Sequence, residues 1–221
     1  VAPQKHYKEI VAQIDDDFNS LHVYFGFESF HAVSLLTSLC RFDIVRAPGV
    51  EKIAQNAFYC CRLTSVAFNE ELRLIDDWAF FKSNNLQTLD FGTKSSLQKI
   101  GVRAFGQCDI LKQATLPDSL ETLDESAFAY SHSLTEVVLN QSLKEIGDGA
   151  FYYCDALKQI SFGDRLERIG SGAFCGCSSL TQVVLPQGLQ KIGSNAFAEC
   201  KALTQIVLPQ GLQKIGDSAF E

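Results

Sequence analysis

The chain has 221 residues, 46% of them hydrophobic and 20% charged, with a formal charge of −7 and a pI near 5.1. That composition supplies a substantial core, and no Lys/Arg cluster is present to hold nucleic acid or an anionic membrane surface. No apolar run reaches the ~18–20 residues that span a bilayer, so direct membrane insertion is not expected.

The first residues show no signal-peptide pattern. Methionine is absent throughout, as expected of a processed chain or a piece of a longer one. Residues 1–38 follow no repeat and are predicted to form an N-terminal cap over the first coil. Within them Tyr7, Ile10, Val11, Ile14 and Phe18 fall at i, i+3, i+4, i+7 and i+11, the spacing of an amphipathic helix. Asp15-Asp16-Asp17 reads as the solvated face of that helix, because it lacks the glycine and ligand spacing of a calcium loop. The aromatic segment Leu21–Phe30 is predicted to be an irregular strand.

From residue 39 to residue 221 the chain repeats as about eight units. The pair Ala-Phe ends at Phe58, Phe80, Phe105, Phe128, Phe151, Phe174, Phe197 and Phe220, in steps of 22, 25, 23, 23, 23, 23 and 23 residues. A period in this range marks a solenoid. In one unit, Leu180, Val183 and Leu185 set a strand with one buried face, and Pro186 stops it because proline cannot donate to a ladder. A second short extended piece follows, such as Leu189–Ile192. Next comes a corner residue: Gly101, Gly147, Gly170, Gly193 or Gly216, with Asp76 and Asp124 in two other units. Both types suit a tight or left-handed corner. The Ala-Phe segment then closes the coil as a turn or one turn of 3₁₀ helix. Because no coil can bury its apolar side alone, neighbouring coils must stack, and the phenylalanines should form one internal column.

The cysteines follow the same register. Cys61, Cys108, Cys154, Cys177 and Cys200 each lie three residues after their phenylalanine, and Ser83 and Ser131 fill that slot in two other units. This pattern predicts small buried residues in a ladder, not a disulfide framework. Cys40, Cys60 and Cys175 are out of phase. The histidines His6, His22, His31 and His132 converge on no metal site. No nucleophile–base–orienter set or phosphate loop appears either, so neither catalysis nor a cofactor is expected.

The linked motifs A-F-x-x-C and L-T-x-V-x-L-P resemble those of the BspA-like leucine-rich repeats, clearly from Leu63 onward. The resemblance implies a right-handed α/β-type solenoid of parallel strands. It also implies a protein-binding or adhesion module on a cell surface or in a secreted protein, with a structural spacer or self-assembling scaffold as the alternative. The chain stops directly after Ala219-Phe220 without a polar C-terminal cap, which raises the expectation of a longer parent or of end-to-end contact between copies.

Two outward columns on the first strand are candidate partner surfaces: Gln113, Glu136, Gln159, Gln182 and Gln205 in one, Asp90, Thr115 and Val138 in the other. Both are mostly neutral and lack aromatic anchors. The aromatic residues Trp78, Phe81, Tyr130, Tyr152 and Tyr153 near the Ala-Phe turns are the better candidates, since aromatic side chains dominate binding hot spots. Glu121, Lys144 and Glu167 alternate in sign between coils and are expected to pair as stacking register.

Overall fold

The computed structural model describes residues 51–221 and the backbone of two strands, 11–14 and 21–24. The strand β1 (Val11–Ile14) pairs antiparallel with β2 (Leu21–Tyr24), Val11 facing Tyr24 and Ile14 facing Leu21. This corrects the helical cap. Residues 11–14 are extended, no helix occurs among the described residues, and the α/β description falls with it. Val11, Ile14 and Val23 are β-branched and favour pleated backbone. Helical spacing over so few residues could not register the partner strand ten residues on. Tyr7, Ile10, Phe18, the three aspartates, His6, His31, Cys40 and Phe25–Phe30 lie outside the described residues.

Each coil of the repeat contributes two short strands. In chain order these are β3 (Lys52–Ile53) and β4 (Ser65–Ala67), β5 (Leu74–Ile75) and β6 (Thr88–Asp90), β7 (Lys99–Ile100) and β8 (Gln113–Thr115), β9 (Thr122–Leu123) and β10 (Glu136–Val138). They continue as β11 (Glu145–Ile146) and β12 (Gln159–Ser161), β13 (Arg168–Ile169) and β14 (Val183–Val184), β15 (Lys191–Ile192) and β16 (Ile206–Val207), and finally β17 (Lys214–Ile215). The odd-numbered strands from β3 to β17 build one continuous eight-stranded parallel sheet. The even-numbered strands from β4 to β16 form three parallel groups, β4–β6, β8–β10–β12 and β14–β16, the last two joined by a bridge between Gln159 and Gln182. The break between β6 and β8 falls where the phenylalanine step lengthens to 25 residues.

The interior is the expected column. Phe58, Phe80, Phe105, Phe128, Phe151, Phe174, Phe197 and Phe220 stack in order, ring centroids 4.9–5.5 Å apart and planes within 14° of parallel. The spacing follows the strand-to-strand repeat of about 4.7–4.9 Å, which falls within the centroid separations of offset-stacked rings. Leucines and isoleucines of both strands fill the rest, with Ile75, Ile100, Ile146, Ile169 and Ile192 fully buried.

The Ala-Phe segments are turns, not 3₁₀ helix, with a backbone that alternates in hand. The residues two before and two after each phenylalanine have positive φ, for example Ser126 (56°) and Tyr130 (60°), or Gly149 (62°) and Tyr153 (53°). N–H groups alternate accordingly. Those of Ser126, Phe128 and Tyr130 donate to Asp148, Ala150 and Tyr152 of the next coil, whereas those of Ala129 and Ser131 close onto Ser126 and Phe128 within the coil. Three inter-coil bonds per turn therefore stitch this face together much as a sheet would. They help to hold non-glycine residues in a conformation that costs each of them about 1–2 kcal/mol.

Of the two corners expected, tight or left-handed, the glycines make the tight one. Gly101, Gly147, Gly170, Gly193 and Gly216 do not have positive φ. They are small because the preceding coil comes too close: a Cβ on Gly147 would stand 2.6 Å from the Asp124 carbonyl carbon and 2.8 Å from the Glu125 nitrogen. Gly147→Ala is therefore expected to force two backbones apart and to lower stability by about 1–3 kcal/mol. A urea midpoint equal to that of the unsubstituted chain would contradict this.

The cysteine ladder is also more than a small-residue slot. Cys154 Sγ donates to the Phe128 carbonyl at 3.1 Å, Cys177 to Phe151 at 3.3 Å and Cys200 to Phe174 at 3.2 Å, while Ser131 Oγ donates to Phe105 at 3.1 Å. Thiol and hydroxyl interchange because both donate to the same carbonyl of the preceding coil. Burial pushes the Cys154 and Cys200 thiols up to about 12, which leaves almost no thiolate at neutral pH. Iodoacetamide on the native chain should thus label exposed Cys60 and spare Cys108, Cys154, Cys177 and Cys200 until denaturant is added. Equal labelling of Cys154 and Cys60 by mass spectrometry would contradict it.

Candidate binding surface

The sheet-face candidates lie where the repeat places them. Gln113, Glu136 and Gln159 are direct partners across β8, β10 and β12, Gln182 bridges to Gln159, and Gln205 follows in the same phase on the exposed surface. Gln113 Nε2 donates to Glu136 Oε2 at 3.1 Å, so part of this column is spent on itself. Thr115 and Val138 align in the second column, and Asp90 aligns with Ala67, its carboxylate accepting from the Gly92 N–H at 2.9 Å. Further along that column Val184 and Val207 are 71% and 78% exposed. The face is flat, narrow and without an aromatic anchor.

The charges between coils pair differently from expectation. Ion pairs form from Lys52 to Asp76 and from Lys99 to Asp124, each at 2.7 Å, and Arg168 reaches both Glu145 and Asp148. The lysines pair with the aspartates that replace the corner glycine one coil on.

The aromatic candidates separate into two groups on the turn face. In the first, Trp78 meets Phe81 edge-on at 4.8 Å, and Tyr59, not anticipated from the sequence, adds its ring at 5.7 Å from Phe81. Phe81 is buried and Trp78 half-buried. The chain covers these rings with its own cations. The Arg103 guanidinium lies 4.9 Å from the Trp78 ring and the Lys82 ammonium 5.5 Å from that of Phe81.

The second group gathers three tyrosines from two coils. Tyr130 and Tyr153 occupy the same left-handed position one coil apart and stack at 5.9 Å, and Tyr152 meets them edge-on at 5.5 and 4.7 Å. Tyr130 is exposed, and Tyr152 and Tyr153 are half-buried. Below them the next coil has no side chain at two positions. A Cβ on Gly176 would stand 2.9–3.0 Å from the Tyr153 ring; other coils hold non-glycine residues at this left-handed position, so it is the ring that glycine accommodates here. Tyr153 Oη then reaches the Glu199 carboxylate two coils away at 3.3 Å, and that carboxylate pushes the phenol's pKa up. At the other edge His132 Nδ1 lies 2.8 Å from Asp155 Oδ1 and its ring 6.3 Å from Tyr130.

Sequence reasoning named the three tyrosines but not His132, Asp155, Gly176 or Glu199. The signal was present. His132 and Asp155 are 23 residues apart and Tyr153 and Glu199 are 46 apart, one and two repeat lengths. Among the described residues no helix is long and apolar enough to cross a membrane.

Comparison with known proteins agrees with the architecture. The family model of the BspA type leucine rich repeat region matches in six copies, over residues 24–135, 51–178 and 121–221. No functionally curated protein matches the sequence. Among solved structures, the chain is similar to a leucine-rich repeat protein from Bacteroides ovatus, at 25% identity and TM-score 0.71, covering 97% of this chain and 56% of that one. It is similar to the T. pallidum leucine-rich repeat protein at 26% identity and TM-score 0.68, covering 92% and 91%. A leucine-rich cell surface protein from Faecalibacterium prausnitzii matches at 25% identity and TM-score 0.67, covering 93% and 55%. The chain thus spans little more than half the length of the first and third of these proteins. The stacked coils, the phenylalanine column and the matched repeats place this chain in the BspA-type leucine-rich repeat family.

Proposed function

We propose that the chain is a non-catalytic protein-binding module of a cell-surface or secreted protein, with its contact surface on the turn face around Tyr130, Tyr152 and Tyr153. The observation that carries this reading is the clustering of three partly exposed tyrosines from two coils, with the Tyr153 ring seated on Gly176 of the next coil. Tyrosine offers large contact area at little conformational cost and is enriched where binding energy concentrates. Leucine-rich repeat proteins are generally interaction modules, which supports the coarser statement. The similar F. prausnitzii protein is a cell surface protein, and this supports a surface or secreted setting. The buried thiols are held protonated, which favours a binding role over thiolate chemistry.

The test is surface plasmon resonance of the folded chain against a panel of host surface and extracellular-matrix proteins. At least one should bind saturably, and the double substitution Tyr130→Ala/Tyr153→Ala should weaken it at least about tenfold. The sheet-face pair Gln159→Ala/Gln182→Ala should leave it unchanged. A folded chain that binds nothing in the panel favours the spacer or scaffold reading and contradicts this one.

A further inference from the structure

The two aromatic groups on the turn face differ in one respect that points to a ligand. Arg103 and Lys82 already cover the rings of Trp78 and Phe81. Among the described residues no Lys or Arg of this chain lies over Tyr130, Tyr152 or Tyr153. What surrounds the tyrosines is negative. Glu199 stands at the Tyr153 hydroxyl and makes no ion pair among the described residues, and Asp155 lies at the other edge against His132. A cation is attracted to the face of an aromatic ring, and more strongly when a carboxylate shares the site. The chain as a whole carries a charge of −7, which would steer a basic partner toward it.

We infer that the tyrosine group receives a lysine or arginine side chain from a basic segment of a protein partner, its charge held between the tyrosine rings and the Glu199 carboxylate. The inference rests on the turn face being the contact surface and names the chemistry of what docks there. The partner would supply to this group what Arg103 and Lys82 supply to Trp78 and Phe81. Gly172 and Gly176 let the Tyr152 and Tyr153 rings lie against the backbone of the next coil, where other coils carry Trp78, Lys82 or Gln107 in the same positions.

The experiment titrates three hexapeptides into the full chain, alternating glycine with arginine, lysine or glutamate, and follows the tyrosine ring resonances by NMR. The arginine and lysine peptides should shift Tyr130 and Tyr153 saturably, and the glutamate peptide should not. Tyr130→Ala/Tyr153→Ala should weaken binding at least about tenfold and Glu199→Gln several-fold, while Tyr130→Phe/Tyr153→Phe retains most of it. Glu121→Gln/Glu167→Gln removes two charges elsewhere and should change affinity less than about twofold. If that control weakens binding as much as the alanine pair, the peptides respond to net charge and the inference fails. It fails equally if neither basic peptide binds. Should a protein from the panel lose binding on Tyr130→Ala/Tyr153→Ala while the basic peptides do not bind, the contact surface stands and its cationic ligand does not.

Discussion

Phe128→Ala should lower the stability of the array by about 3–5 kcal/mol, the range for removing a buried phenylalanine. Phe128 is fully buried and sits between Phe105 at 5.2 Å and Phe151 at 5.5 Å. Truncation leaves a cavity with a ring on each side. The cavity cannot close readily, because the backbone on both sides is pinned: the Phe128 N–H donates to Ala150 and its carbonyl accepts from both Ser131 N–H and Cys154 Sγ. The same substitution at the outer Phe220, which is 40% exposed, should cost far less. Urea denaturation followed by circular dichroism measures both, and similar midpoints for the two variants would show that the column is not the spine of the fold.

Asn140→Leu should cost about 3 kcal/mol or more although it preserves the branching and heavy-atom count of the side chain. Asn140 is buried, and its amide serves four backbone groups. Nδ2 donates to the Pro117 and Leu120 carbonyls, and Oδ1 accepts from the Ser142 and Leu143 N–H groups at 2.8 Å. Leucine satisfies none of them, and each buried polar group left without a partner costs about 1–3 kcal/mol. The corresponding corner one coil on is Gly163, and a Cβ there would collide with the Asn140 backbone. The corner is therefore tied backward by Asn140 and packed tightly forward. A midpoint shift equivalent to less than about 1 kcal/mol would mean that water reaches these groups.

Much of the fold was legible because the repeat fixes which residues share a column. The phenylalanine stack, the buried Cys/Ser slot and the alignment of Gln113, Glu136 and Gln159 follow from phase alone. What phase does not report is backbone. Pieces as short as Lys191–Ile192 and Val183–Val184 carry too little periodicity to reveal that the first kind forms the unbroken sheet and the second does not. The corner glycine read as a tight or a left-handed residue because sequence cannot separate a close approach from a positive φ. The left-handed positions fall instead on residues as bulky as Trp78, Tyr130 and Tyr153, held there by bonds to the next coil. At the amino terminus Tyr7–Phe18 showed helical spacing, but β1 draws its stability from pairing with β2.

The candidate surface was legible to a similar extent. Tyr130 and Tyr153 share a phase, so their stacking could be anticipated, and the aromatic turns already stood out against the neutral sheet. The covering of Trp78 and Phe81 by Arg103 and Lys82 depends on where left-handed residues aim their side chains, and no pattern of residue types conveys that. This covering separates the two aromatic groups and is why the proposed contact surface is the tyrosine group.

Hydrogen–deuterium exchange of the chain, alone and bound to a protein captured from the panel, tests the account most directly. Bound partner should slow exchange across 126–132, 149–155 and 172–178, the turns that carry and flank the tyrosines, and leave 113–115, 136–138 and 159–161 unchanged. Protection confined to those sheet strands, with the turns unaffected, would place the binding surface on the opposite candidate and contradict the account.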